Sequence, residues 1–273
     1  MASTSASASK ADSLSRRLLS AAVGIPILLL LTWAGSFWFI ALVVLGSLLG
    51  LLEFYRLANI QNLWFQRVPG MVFTAILVSF THPAADWMVL PVLGGLLALL
   101  AARRRQVAAS ARLWLMTLAG PLYLGATLSY AVALRGLDKG MEWVLMALLA
   151  TFAVDTSAYF VGKAMGRHRM APQISPGKTW EGAVGGLVAA VVATVVLATA
   201  FALPLETWEA ALLGVATGLV AQAGDLLESA LKRAAQAKEA GTLIPGHGGI
   251  LDRLDSVVFT LVLVYYGFRW AAT

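Results

Sequence analysis

Nine apolar runs fill most of the chain, at roughly 18–34, 36–53, 69–81, 87–101, 113–134, 142–162, 181–203, 208–228 and 255–271. Hydrophobic residues make up 59% of the sequence and charged residues only 12%. A soluble domain cannot hide that much apolar surface, whereas a bilayer supplies the solvent for it. Runs near the ~20 residues needed to span hydrocarbon read as transmembrane helices, and the third and fourth fall shortest of that length. The chain is therefore expected to be an all-α, polytopic integral membrane protein with about nine transmembrane helices.

The basic residues orient these helices. With the N-terminus in the cytoplasm, 17 of the 20 Lys and Arg fall on the inside, and only Arg135, Lys139 and Arg269 fall outside. Positively charged loops stay cytoplasmic, so the bias predicts an N-in/C-out arrangement. It also accounts for the net charge of +6. The cations are dispersed among apolar spans, so no nucleic-acid partner is expected. Residues 1–15 are small and polar and read as a disordered cytoplasmic tail. Arg16-Arg17 before the first run imitates a signal peptide, but no small-residue cleavage site follows, and an uncleaved helix is expected. Residues 16–135 are expected to form N-terminal transmembrane helices, and 136–273 a C-terminal transmembrane region, expected to be the catalytic one from the acids described next, with cytoplasmic loops 163–180 and 229–254. With no cysteine, thiol nucleophiles, disulfides and Cys-ligated metals are excluded.

The acids are where chemistry is expected. Five of the 14 lie between Asp225 and Asp255. Charge near lipid is costly and usually functional. Asp155 precedes the cytoplasmic Lys163 by eight residues, about 12 Å along a helix, and Asp225 precedes Lys232 by seven. Asp252 and Asp255 stand where the last helix leaves the same face. Three helices thus bring carboxylates to one leaflet at similar depth, a hard-oxygen set suited to Mg²⁺. Asp252 or Asp255 taken singly also reads as a helix cap, and Asp155 as the partner of a base. Convergence of all of them is not required by either role.

The loop Ser175-Pro-Gly-Lys178-Thr179 combines turn residues with a helix opening at Lys178-Thr179. A helix start beside Ser, Thr and Lys suits phosphate, although the spacing is not that of a Walker loop. In Pro245-Gly-His247-Gly248-Gly249 the glycines allow close main-chain approach and offer N–H donors. His247 reads equally as a phosphate donor, an acid/base group or a structural turn residue.

The segments Ser229-Ala-Leu-Lys232-Arg233, Lys238-Glu239, Pro245-Gly-His247-Gly-Gly249 and Asp252-Arg253-Leu254-Asp255 follow one another in an order that resembles the signature of the CDP-diacylglycerol synthases, or phosphatidate cytidylyltransferases. Asp155-Thr-Ser-Ala-Tyr159 and Ser175-Pro-Gly-Lys178-Thr-Trp-Glu-Gly182 also resemble family segments, so the likeness covers about residues 150–260. The family's Lys-Asp pair is Lys238-Glu239 here, and Glu239 is left out of the metal set for that reason.

The resemblance implies a membrane nucleotidyltransferase that converts CTP and phosphatidate, a membrane lipid, to CDP-diacylglycerol and pyrophosphate. It implies Asp225 and Asp252 as metal ligands, with Asp255, Asp155 and His247 completing the catalytic set. Ser175, Lys178, Thr179, Lys232, Arg233, Arg253, Gly248 and Gly249 would bind substrate. Mg²⁺ is the expected cofactor, with a second cation and a homodimer left open. A bacterial inner-membrane location with the site facing the cytoplasm follows from the same likeness. An ion-coupled transporter would instead favour midplane charges and a repeat between halves, and neither is found.

Overall fold

A computed structural model describes residues 20, 22–61, 63–79, 91–95, 108–243 and 248–271. The helices are α1 (Ala22–Trp33), α2 (Ser36–Leu57), α3 (Val68–Ser79), α4 (Ala109–Arg135), α5 (Gly140–Met165), α6 (Trp180–Ala200), α7 (Thr207–Ala234), α8 (Leu251–Leu254) and α9 (Val257–Ala271). Six helices among the described residues are long and apolar enough to cross a membrane: α2, α4, α5, α6, α7 and the run Leu251–Ala271 made by α8 and α9. The sequence reading drew nine. Its segments at 18–34 and 69–81 do contain helices, α1 and α3, but short ones. The segment at 87–101 lies mostly outside the described residues, as do the 1–15 tail and Arg103-Arg104-Arg105.

The chain is not wholly helical. Strand β1 (Arg169–Ala171) pairs antiparallel with β2 (Ser175–Thr179), placing Arg169 opposite Thr179 and Ala171 opposite Ser175. The Ser-Pro-Gly segment expected as a turn is therefore extended, and the turn falls at 172–174, closed by the Ile174 N–H donating to the Ala171 carbonyl at 3.1 Å. A two-stranded ribbon has only edges, so the N–H missing from Pro176 costs it little. Thr179 does open a helix as expected: it is the N-cap of α6, and its Oγ1 accepts from the Gly182 N–H at 3.1 Å.

Small residues draw α5, α6 and α7 together. A Cβ on Gly182 would stand 2.6 Å from the Ala158 carbonyl oxygen, and one on Gly185 2.7 Å from a Val161 methyl. On the other face, a Cβ on Gly214 would stand 2.7 Å from the Val191 Cα. Without a hydrophobic drive between helices in lipid, such close backbone approach is what association rests on. The outer face of α6 carries Val184, Val188, Val192 and Val196, all exposed at four-residue spacing, as a lipid-facing stripe requires.

Behind this layer, α4 forms the buried centre. Tyr123, Leu124, Tyr130 and Leu134 are enclosed, packed with Phe54 and Tyr55 of α2 and Tyr265 of α9. At the end away from the acids, Arg135 Nε donates to the Thr32 carbonyl at 2.8 Å, and Lys139 donates to the Ala202 carbonyl. Two of the three bases that the topology reading left outside thus cap helix-end carbonyls.

Candidate functional site

Lys163 follows Asp155 on α5 and Lys232 follows Asp225 on α7, so each acid sits about two turns inside its helix's polar end. Helix α7 runs on to Ala234, past the apolar run, because Glu228 and Lys232 form an i,i+4 ion pair in its final turns. Gly224 lets α7 close on the α8–α9 junction: a Cβ there would be 2.6 Å from the Asp255 carbonyl oxygen. Asp225 and Asp255 are thereby brought to one wall.

The acids and bases surround a cavity of about 1010 Å³, at the upper end of the range for small-molecule sites. Asp155, Asp225, Asp252 and Asp255 line it, with Ser175, Lys178, Thr179, Lys232, Arg253 and Gly248. Helices α5, α7 and α8, the β-hairpin and the segment before α8 all contribute. Asp155 and Asp255 each lie within electrostatic reach of Asp225.

Two carboxylates are already matched to ammonium groups. Lys178 Nζ stands 2.6 Å from Asp225 Oδ2, joining β2 to α7, and Ser229 Oγ donates to Asp225 Oδ1 at 3.4 Å. Lys232 Nζ stands 2.6 Å from Asp252 Oδ1 and also pairs with Glu228, whose side chain is fully enclosed. Asp252 Oδ2 accepts the N–H groups of Ala240 and Gly249, each at 2.9 Å. Asp252 thus fastens both ends of the segment 240–249 as well as facing the cavity.

Some expectations are redirected. Arg233 does not line the cavity: its guanidinium donates to the Ile174 and Ala237 carbonyls, each at 3.1 Å, and tethers the β-hairpin to the end of α7. It directly follows the cavity-lining Lys232, and at 3.6 residues per turn the next side chain leaves the helix in another direction, so a basic pair in sequence does not reveal which member faces inward. Gly249 also stays out of the cavity, packed against Glu53 of α2. His247 lies outside the described residues. The sequence reading gave no role to Gln222, Tyr159 and Lys238, which line the cavity, and left out Glu239, which does too. Of the two enclosed carboxylates behind the wall, it counted Glu228 among the clustered acids without a site role and missed Glu53.

The charge balance bears on a cation. Among the described residues, five lining carboxylates (Asp155, Asp225, Glu239, Asp252, Asp255) face four lining bases (Lys178, Lys232, Lys238, Arg253). Such a cavity has no surplus positive charge for an anionic substrate. Its donors are hard oxygens from different helices, and two already hold a cationic group at 2.6 Å. That donor chemistry fits Mg²⁺, although no three acidic or histidine side chains among the described residues are gathered as a ready ligand cluster.

Residues 15–270 match the model of the cytidylyltransferase family. The chain is 31% identical over 258 residues to a phosphatidate cytidylyltransferase of Staphylococcus epidermidis, covering 91% of this chain and 96% of that protein. The protein of the same name from Staphylococcus haemolyticus is 34% identical over 234 residues, covering 82% and 88%. That from Brucella abortus is 34% identical over 258 residues, covering 93% of each.

Proposed function

This chain belongs to the cytidylyltransferase family, and we propose that it converts CTP and phosphatidate to CDP-diacylglycerol and pyrophosphate. The observation that carries the reading is the mixed acidic and basic cavity at one end of membrane-crossing helices, built from the segments that match the family. An oxygen of the lipid phosphate forms a bond to the α-phosphorus of CTP, and the bond from that phosphorus to the bridging oxygen of the β-phosphate breaks. Pyrophosphate leaves, and nothing is oxidised or reduced. A phosphate monoester is already a nucleophile, so the chain supplies position and charge rather than a nucleophile of its own.

Lys178 and Arg253, both lining the cavity, would contact phosphates, with Ser175, Thr179 and the Gly248 backbone also in the lining. Asp225 and Asp252 would hold Mg²⁺, with Asp155 and Asp255 supporting. Bound there, the ion would neutralise phosphate charge as the two anions approach. The finer topology belongs to the same proposal: nine spans, N-in and C-out, in a bacterial inner membrane with the cavity facing the cytoplasm. The 17-of-20 distribution of bases supports it, as does the need to admit CTP.

The test is incubation of the purified protein with α-labelled CTP, phosphatidate and Mg²⁺. Label should enter the organic phase only with phosphatidate present, and EDTA should stop it. Label transfer to a polyprenyl phosphate but not to phosphatidate would replace this reading with a different lipid-phosphate enzyme.

A further inference from the structure

Glu53 sits in an apolar helix of the N-terminal half, 198 residues before Leu251, yet its Oε2 accepts the Leu251 N–H at 2.8 Å. The residue is 2% exposed. A carboxylate enclosed this fully is costly unless its oxygens are used. Two glycines lie flat on it: a Cβ on Gly241 would fall 2.2 Å from Oε1, and a Cβ on Gly249 2.4 Å from Oε2. Oε1 has no hydrogen-bond partner among the described residues and is enclosed by this segment. The segment is the one that brings Thr242, Gly248, Asp252 and Arg253 to the cavity. Its ends are fastened on the other side by Asp252, through Ala240 and Gly249.

We propose that Glu53 is a positioning residue for the reaction: its carboxylate is the seat on which Gly241, Gly249 and Leu251 rest, so that the cavity-facing residues beside them are held against α7. Glu53 itself does not line the cavity. The inference rests on the cytidylyl-transfer reading for its activity readout, and on backbone exchange for a readout that does not need activity. It also assigns a task to α2, which lies outside the segments that carry the motif. A Cβ at 241 or 249 would push the Glu53 carboxylate off this seat.

The test compares Glu53→Met with Glu53→Gln in the full-length protein. Met fills a similar volume without an acceptor, while Gln keeps an oxygen for the Leu251 N–H. Glu53→Met removes an enclosed charge but strands the Leu251 N–H, so its Tm should differ little from the parent's. It should nevertheless lose at least about tenfold in kcat/KM, about one lost charge-assisted hydrogen bond. Amide exchange at 240–243 and 249–251 should rise by a similar factor, with α6 unchanged. Glu53→Gln should recover most of both. Parent-like turnover and exchange in Glu53→Met would reduce Glu53 to packing, and lost turnover with unchanged exchange would also overturn the positioning role. If the parent itself transfers no label, the functional reading fails while the exchange comparison still decides the role of Glu53.

Discussion

Replacing Lys232 with Met separates two roles that the sequence leaves together, phosphate contact and internal counter-ion. The ammonium stands between Glu228, fully enclosed, and Asp252, whose side chain is 8% exposed. Removing it leaves two carboxylates around a site with no cation. Deleting one partner of a buried pair costs ~3–5 kcal/mol. Lys232 is 14% exposed, and water entering from the cavity favours the lower end, about 3 kcal/mol. At roughly 2–4 °C per kcal/mol for a chain of this size, Tm should fall by about 6–12 °C. Intrinsic tryptophan fluorescence in detergent with EDTA measures this without a divalent ion replacing the lysine. Adding Glu228→Gln should restore much of the loss, since one of the two stranded charges is then gone. Arg233→Met, which removes only contacts to carbonyls at the surface, should shift melting far less. A parent-like Tm for Lys232→Met, with only the KM for CTP raised, would show that Lys232 is a phosphate contact and that the two acids do not depend on it.

Asp225→Asn and Asp252→Asn should each abolish turnover, with Asp225→Asn melting like the parent; retained activity in either would remove it from the metal site. Lys178→Ala should lower kcat/KM for CTP by roughly 10- to 150-fold, the equivalent of ~1.5–3 kcal/mol for one charge-assisted contact. It should also strengthen Mg²⁺ binding in the absence of nucleotide, measured by calorimetry, because Asp225 loses its ammonium. The chain has no cysteine, so single cysteines report sidedness directly: Gln173 and Gln236 should be labelled from one side and Pro204 from the other. Opposite labelling of Gln173 and Gln236 would contradict the single cavity.

What the sequence made legible was depth, and what it hid was azimuth and distance along the chain. Asp155 and Asp225 could be placed at one level because each precedes a basic helix end by seven or eight residues, and the helical rise converts that count into height. The direction in which a side chain leaves its helix depends on the neighbours. Lys232 and Arg233 are adjacent, yet one faces the cavity and the other ties down the β-hairpin. Ser175-Pro-Gly177 looked like a turn because its residues suit one, but pairing with Arg169–Ala171 decided otherwise. Glu53 was invisible for a different reason. Its partner lies 198 residues away, and no local pattern marks an acid near the end of an apolar helix as anything but an interfacial charge.

The ion pairs of the cavity differ in what can displace them. Lys232 is held by two carboxylates, one of them fully enclosed, so an incoming phosphate would have to outbid both while leaving Glu228 unpaired in the protein interior. Among the described residues Lys178 pairs with Asp225, with the two side chains partly open, at 21% and 30% exposure. Its ammonium nitrogen is enclosed, but only one carboxylate is left behind when it moves. A phosphate drawing Lys178 away therefore meets less resistance than one drawing on Lys232, and it frees Asp225, the carboxylate within electrostatic reach of both Asp155 and Asp255. In the absence of ligand the same pairing keeps the acids from facing one another uncompensated. One lysine thus serves the empty cavity as counter-ion and the filled cavity as phosphate ligand, whereas its neighbour on α7 is committed to holding the wall.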